Sequence, residues 1–339
     1  KGVYVEINSI FDGTASAEIL RKYERVIPTL QDMKELFGKL IRNRDERGGL
    51  DLESTESKII LDQNGLAIDI QPRHSGLSEN MIEEFMLLAN TAAASFGLEH
   101  ELPFLFRVHD NPPSEKIEVF EQSMAEIGFD ISELKKGVTP LALYHILHKA
   151  RGTKYELIVN NSILRSMAKA QYSANNIGHF GLVIDKYSHF TSPIRRYPDM
   201  LVHRLLTKYL DLGGRSVSEQ KYEALCEHSS SMEQIAANAE RASIKYKQVE
   251  YMTERLGQTY DGVISGVTEW GLYVELNENK CEGMIPIRDL DDDYYEFDEK
   301  NYCLRGRRKK RTYSLGDAIT IKVARANLEK KQLDFALVE

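Results

Sequence analysis

Apolar residues change their spacing at Gly257, and that change divides the chain. Before it they recur at intervals of three and four, as in amphipathic helices. Beyond it they alternate with polar positions in short runs, as in half-buried strands. The opening residues 1–9 are an exception: Val3, Val5 and Ile7 alternate and predict a strand. Residues 15–47 have helical spacing and stop at Gly48-Gly49. Ile59 to Leu61 and Leu66 to Ile70 flank Asn64-Gly65, a strong hairpin signal. Asn80 predicts the cap of a helix running to about Phe96, with Gly97 ending it. Further helices are expected over 114–128, 139–150 and 161–172, and a long one over 218–255. In the long one Tyr222, Leu225, Ser229, Met232, Ala236, Ala239, Ser243 and Tyr246 form a seam. Its many small residues favour a core-facing helix over a coiled coil. No internal repeat is present.

Beyond Gly257, strands are expected at Tyr260–Val267, Gly271–Leu276, Glu282–Ile287, Ala318–Ala324 and Gln332–Leu337. Five short strands in about eighty residues suggest an OB-type barrel. The fold class is therefore α+β: a mixed domain over 1–256 followed by an all-β OB-fold barrel over 257–339.

A chain of 339 residues, 42% hydrophobic, suffices for two cores of this kind. No apolar run approaches a membrane span and no signal-peptide pattern opens the chain. Cys226, Cys281 and Cys303 are isolated and form no CxxC pair, so neither a zinc site nor a disulfide framework is expected. A reducing cytoplasm fits. The first residue is Lys1, not methionine, and the chain reads as a fragment lacking a front part. The net charge of −8 argues against nucleic-acid binding when taken alone. Local distribution matters more than the sum. Arg305, Arg307, Arg308, Lys309, Lys310 and Arg311 place six cations in seven positions, which favours an RNA contact over a solvated loop.

The richest chemistry lies in His189-Phe190-Thr191-Ser192-Pro193-Ile194-Arg195-Arg196-Tyr197-Pro198-Asp199. Pro193 and Pro198 hold an extended approach to a helix, and Met200, Leu201, Leu205 and Leu206 follow at helical spacing. A helix N-terminus carries free N–H groups and partial positive charge. Two guanidinium forks beside it make a receptor for a phosphodiester. A surface Arg pair with no function is the plainer alternative.

The surrounding motifs decide between these. Residues 189–204, Gly178-His179-Phe180-Gly181-Leu182, Tyr187 to Phe190, Phe106-Arg107-Val108-His109-Asp110, Phe85 to Asn90 and Arg47-Gly48-Gly49 occur in one order. Together they closely resemble the RNB family of 3′→5′ exoribonucleases. Gly262-Val263-Ile264, Trp270-Gly271-Leu272-Tyr273-Val274 and Glu282-Gly283-Met284-Ile285 resemble the S-one type RNA-binding domain. The insert 291–316 is similar to that of the ribonuclease R branch rather than the ribonuclease II branch.

The resemblance implies a processive, Mg²⁺-dependent exoribonuclease that releases 5′-mononucleotides in RNA turnover and quality control. It implies single-stranded 3′ ends and structured RNA as substrates, and partners met through RNA, such as ribosomes or rRNA. Arg195 matches the family's catalytic arginine, which holds the scissile phosphate. Arg196 is expected on a neighbouring phosphate, with Ser192, Thr191 and His189 shaping the loop. Glu240 matches a position at the terminal nucleotide; an ion pair with Arg241 or Lys245 is the alternative. Asn90, Arg107 and His109 sit in motifs but have structural alternatives. Trp270 and Tyr273 match the barrel's two stacking aromatics, Lys331 its basic hairpin position, and Lys322 and Arg325 lie nearby. Pro286 and Asn327 depart from the histidine and acidic residue frequent there. The family's Asp-rich metal site has no counterpart before residue 42, and Asp289-Leu290-Asp291-Asp292-Asp293 reads as a solvated turn rather than a metal site. The competing reading is a nuclease-derived RNA-binding module without catalysis. A translation-type RNA chaperone would leave residues 42–255 unexplained.

Overall fold

Helices dominate the first two-thirds of the chain and strands the last third. The computed structural model describes residues 1–50, 56–73, 75–153, 155–213, 219–298 and 303–338. Residue 218 before the long helix and residues 299–302 of the insert lie outside these. In chain order the elements are α1 (Tyr4–Phe11), α2 (Ala17–Tyr23), α3 (Ile27–Arg47), β1 (Glu56–Leu61), β2 (Ala67–Arg73), α4 (Leu77–Glu99) and β3 (Phe106–Val108). There follow α5 (Ser114–Glu126), α6 (Pro140–Ala150), α7 (Glu156–Ser166), β4 (Gln171–Ser173), α8 (Tyr197–Leu212) and α9 (Glu219–Thr253). The last part holds β5 (Thr259–Thr268), β6 (Gly271–Leu276), β7 (Glu282–Pro286), β8 (Tyr295–Asp298), β9 (Cys303–Gly306), β10 (Thr312–Ser314), β11 (Ala318–Asn327) and β12 (Gln332–Leu337).

The Asn64-Gly65 hairpin forms as expected, with β1 antiparallel to β2. Gly48 ends α3 in the left-handed region, φ 79°. A Cβ there would lie 2.6 Å from the Leu141 Cα, so this close approach needs glycine.

The first residues are a helix rather than a strand. A short alternating run satisfies either period, and among the described residues no strand lies alongside to offer a ladder. The helix satisfies its own backbone and lays Ile7 inward. Asn8 then reaches α4, where Oδ1 accepts from the Ser78 N–H at 2.8 Å and Nδ2 donates to Glu79 at 2.8 Å. Asn8 thus satisfies a free amide in the first turn of α4. The helix starts at Leu77, not at Asn80, and runs through Gly97 to Glu99. Gly97 is a packing position: a Cβ would meet the Phe104 ring at 2.6 Å. The helix expected over 161–172 lies earlier, at α7, and its last residues enter β4.

The long helix α9 is not core-facing along its whole length. Cys226 and Ser229 are buried near its start, and Val249 and Met252 near its end. Between them Met232, Ile235 and Tyr246 are exposed at 43%, 57% and 38%. The expected seam is open through its middle, and this open stretch carries Glu240.

Strands β11, β12, β7, β6 and β5 close into a barrel in that order. Its core includes Ile264, Leu272, Val274, Ile285, Ile321 and Phe335. Val249 and Met252 of α9 and Ile70 of β2 join the same cluster, so the long helix and the hairpin seat the barrel. The insert builds its own antiparallel sheet, ordered β10-β9-β8.

Candidate active site and nucleic-acid interface

A buried apolar layer of Phe104, Phe106, Val108, Tyr172, Leu201, Val202 and Leu205 underlies the arginine loop, residues 189–196. Several backbone groups of the loop are tied down from beneath, whereas the buried Thr191 hydroxyl has no hydrogen-bond partner among the described residues. Buried Asn90 accepts the N–H groups of Phe190 and Thr191 on Oδ1, at 2.9 and 3.2 Å. Its Nδ2 donates to the Tyr187 hydroxyl at 3.1 Å. His203 donates from Nε2 to the Phe190 carbonyl at 2.8 Å, and its ring stacks on Phe190.

Asp199 is the keystone that sequence reading missed. It is fully buried in the first turn of α8, and its Oδ1 accepts from the Ser192 N–H and from Arg196 Nη2, both at 2.8 Å. The helix N-terminus expected to receive an external phosphate therefore has an internal carboxylate. Arg196 is held in an ion pair with Asp199, its side chain 20% exposed, and so positions the loop rather than standing open to a neighbouring phosphate. Arg195 differs: it is exposed, and among the described residues its side chain makes no hydrogen bond or ion pair. Ile194 beside it is fully exposed. Asp199→Ala would leave the Arg196 charge half-buried and unpaired. The expected loss is about 3 kcal/mol of stability, read from urea denaturation; an unchanged midpoint would show that the pair contributes nothing.

Aromatic rings and imidazoles pack beneath the loop. The Tyr172 hydroxyl and His189 Nδ1 are 2.9 Å apart, and Tyr187 packs edge-on against both His179 and His189. His109 Nδ1 accepts from the Gly181 N–H at 3.1 Å, which makes its Nε2 the donor to the Ala168 carbonyl at 3.0 Å. Burial pushes the His179 pKa down to about 3 and that of His189 to about 2, with nearby charges adding to the effect. Burial also lowers His109. His179 and His189 are neutral in the folded state and protonated in the unfolded chain below about pH 6.5. The unfolded state then binds more protons, so stability is complete above pH 6.5 and falls as the pH drops towards 3. A urea series from pH 7.5 to 5 should show this decline, at up to about 1.4 kcal/mol per pH unit per histidine. A flat profile would mean that these rings are accessible to protons.

Arg107 is structural: it pairs with Glu233 of α9 at 2.7 Å and lies over the Tyr172 ring at 4.7 Å. Glu240 is seven residues past Glu233, hence two turns further along the same helix face. It is exposed and pairs with neither Arg241 nor Lys245. Arg241 donates to Asn238 at 2.7 Å, and Lys245 donates to the Glu282 carbonyl at 2.5 Å.

On the barrel, Trp270 is 68% exposed and Tyr273 37%. Neither is a core residue. Between them Gly271 lets β6 run close against β7: φ is 149°, and a Cβ would sit 2.0 Å from the Ile285 carbonyl oxygen. Trp270 lines an open groove of about 710 Å³ together with Arg325 and Lys330. Lys331 occupies the adjoining turn with φ 53° and does not line the groove; nor does exposed Lys322 on β11. Asn327, at the position where acidic residues are frequent, accepts from the Lys330 N–H at 2.9 Å and closes that turn.

The acidic and basic runs meet each other. Asp293 accepts the N–H groups of Arg308 and Lys309, at 2.9 and 2.6 Å. Asp292, only 8% exposed, lies 3.7 Å from Lys309 and 3.9 Å from Arg311 and accepts from the Tyr295 hydroxyl. Arg307 pairs with Glu296. Asp292 and Asp293 thus clasp the basic run, while Asp291 stays solvated as expected. Arg305, Arg308 and Lys310 remain without side-chain hydrogen bonds or ion pairs among the described residues.

The arginine loop, its Asn90 and Asp199 supports and the barrel belong to one recognised architecture. The RNB domain profile matches residues 2–212, more than half of the chain. The chain belongs to the RNB family. The S1 RNA binding domain matches residues 254–337. Ribonuclease R 1 of Lactococcus lactis subsp. lactis is 38% identical over 98% of this chain and 41% of its own length. Ribonuclease R of Thermotoga maritima is 38% identical over 99% of this chain and 48% of its own. The chain thus spans less than half of either RNB relative. The structure of Mycoplasma genitalium RNase R in complex with ribose methylated single-stranded RNA superposes with a TM-score of 0.87. That protein is 26% identical, over 99% of this chain and 53% of that one. Among the described residues of this RNB chain, no helix is long and apolar enough to cross a membrane.

Proposed function

We propose that this chain is the RNA-clamping part of a processive 3′→5′ exoribonuclease of the ribonuclease R type, which releases 5′-mononucleotides during RNA turnover. One observation carries the reading: Arg195 is exposed and, among the described residues, has no side-chain partner, on a loop whose backbone is held by Asn90 and Asp199. A rigid fork of this kind grips a phosphate and meets the charge that develops at phosphorus in the transition state. Glu240, on the open face of α9, would contact the terminal nucleotide. The barrel holds the strand upstream, Trp270 and Tyr273 stacking bases while cations track the backbone. Single-stranded RNA is the proposed ligand, as in the complex of the Mycoplasma relative. Structured RNA, including rRNA or the ribosome, would be met through the free cations of the insert. Three buried free thiols favour a reducing cytoplasm.

Mg²⁺ is the metal expected of this family, and the described residues do not assemble a site for it. Among the described residues no three His, Cys, Asp or Glu are grouped to hold an ion. Asp292 and Asp293 are committed to the insert.

The barrel's part is tested by gel shift at two salt concentrations. Trp270→Ala with Tyr273→Ala should weaken single-strand binding by roughly 1–3 kcal/mol per lost stack. Replacing Arg305, Arg308 and Lys310 should instead flatten the salt slope by about 2 units, at about 0.7 per phosphate contact. Replacing the paired Arg307, Lys309 and Arg311 should change the slope less. A lower melting temperature with unchanged affinity in the aromatic variant would make both rings structural.

A further inference from the structure

The barrel groove contains a carboxylate that phosphate binding does not explain. Strand register sets Tyr273 of β6 opposite Met284 of β7, Met284 beside Asp334 of β12, and Asp334 opposite Arg325 of β11. These residues form one row across the outer face. Trp270, Met284, Pro286 and Ile287 give the groove an apolar stretch, and Asp334 lines the same groove between Met284 and Arg325. Asp334 is half-buried and, among the described residues, makes no hydrogen bond or ion pair, not even with Arg325 across the ladder. A lone carboxylate in a groove that also holds Arg325 and Lys330 weakens its attraction for phosphates. It would repel the strand unless it meets donors.

We infer that Asp334 selects guanine at the base position next to Trp270. The inference rests on the RNA-binding reading of the barrel. A base stacked along the apolar stretch turns its edge towards β12. An ionised carboxylate only accepts hydrogen bonds, on two parallel oxygens. Guanine alone presents two adjacent donors on its Watson–Crick edge, N1–H and the N2 amine, and so meets both oxygens. Adenine and cytosine offer a single amine next to a ring nitrogen acceptor. Uracil offers one N–H between two carbonyl oxygens, which the carboxylate repels. Recognition of unstacked bases through this edge is the usual way proteins read single-stranded RNA. Pro286 suits this arrangement, since it adds apolar surface and no competing donor.

The test uses the whole chain of residues 1–339 and labelled RNA dodecamers of uridine in which every third residue is guanosine, inosine or adenosine. Inosine keeps N1–H and lacks the N2 amine. Fluorescence anisotropy should show the guanosine strand bound about tenfold more tightly than either of the others, the scale of one charge-assisted hydrogen bond. Asp334→Asn should abolish this preference and tighten binding of the adenosine strand, because a repulsive charge is gone. Equal affinities of the three strands for the unsubstituted chain would overturn the inference without requiring any variant to fold. So would a guanosine preference that survives Asp334→Asn. Trp270→Ala separates the two readings: if it leaves all affinities unchanged, the groove is not the RNA face. If it weakens all three strands while base preference is absent, only the role of Asp334 fails.

Discussion

Arg195→Ala, made in a form of the protein with the length of its relatives, should slow mononucleotide release by roughly two to three orders of magnitude, the scale of one lost transition-state charge contact. RNA affinity should change little, because the stacking groove and the cations of the insert lie elsewhere in the fold. The loop itself should survive, since Arg195 has no partner among the described residues and its backbone is held by Asn90 and Asp199. Arg195→Lys should recover only part of the rate: an ammonium is a point charge and cannot bind a phosphate through two parallel N–H groups. Single-turnover kinetics with a labelled oligomer separate the rate from binding. Wild-type turnover in the alanine variant would reduce Arg195 to a solvated side chain. Loss of affinity with the rate intact would make it a binding residue alone.

The polypeptide of residues 1–339 should bind single-stranded RNA and leave it intact at any Mg²⁺ concentration. Phosphodiester hydrolysis in this family needs carboxylates to hold the metal, because hard cations take oxygen ligands. No such group exists among the described residues, whereas the arginine loop and barrel need no metal to hold phosphates and bases. Denaturing gels after long incubation decide the matter. A longer form that supplies an aspartate cluster should degrade the same oligomer. Mononucleotides released by residues 1–339 alone would show that carboxylates of this chain assemble a metal site around bound RNA. The dense run Asp289 to Asp293 would be the first to replace, although Asp292 and Asp293 already clasp the basic loop.

By itself the sequence determined what depends on near neighbours along the chain. Gly65 turns the hairpin because it takes φ 80°, a left-handed angle that glycine accepts freely. Alternating apolar positions after Gly257 produce the five barrel strands, because each strand must bury one face. The arginine loop was legible as a motif, and with it the family. Tertiary structure decided everything that joins distant residues. Asn90 holds the N–H of Thr191 across 101 positions, and Arg107 meets Glu233 across 126. Composition could not say that Arg196 would pair inward while Arg195 stayed open. The signal was slight: an aspartate three residues on, in the first turn of a helix. Nor could the run 305–311 reveal that Asp292, Asp293 and Glu296 occupy part of it, because a charge count does not say which charges meet. The alternating residues at the start became a helix, and the seam of α9 stayed exposed midway, for one reason. Periodicity marks which positions are able to share a face, but only the packing of other elements decides whether that face is covered.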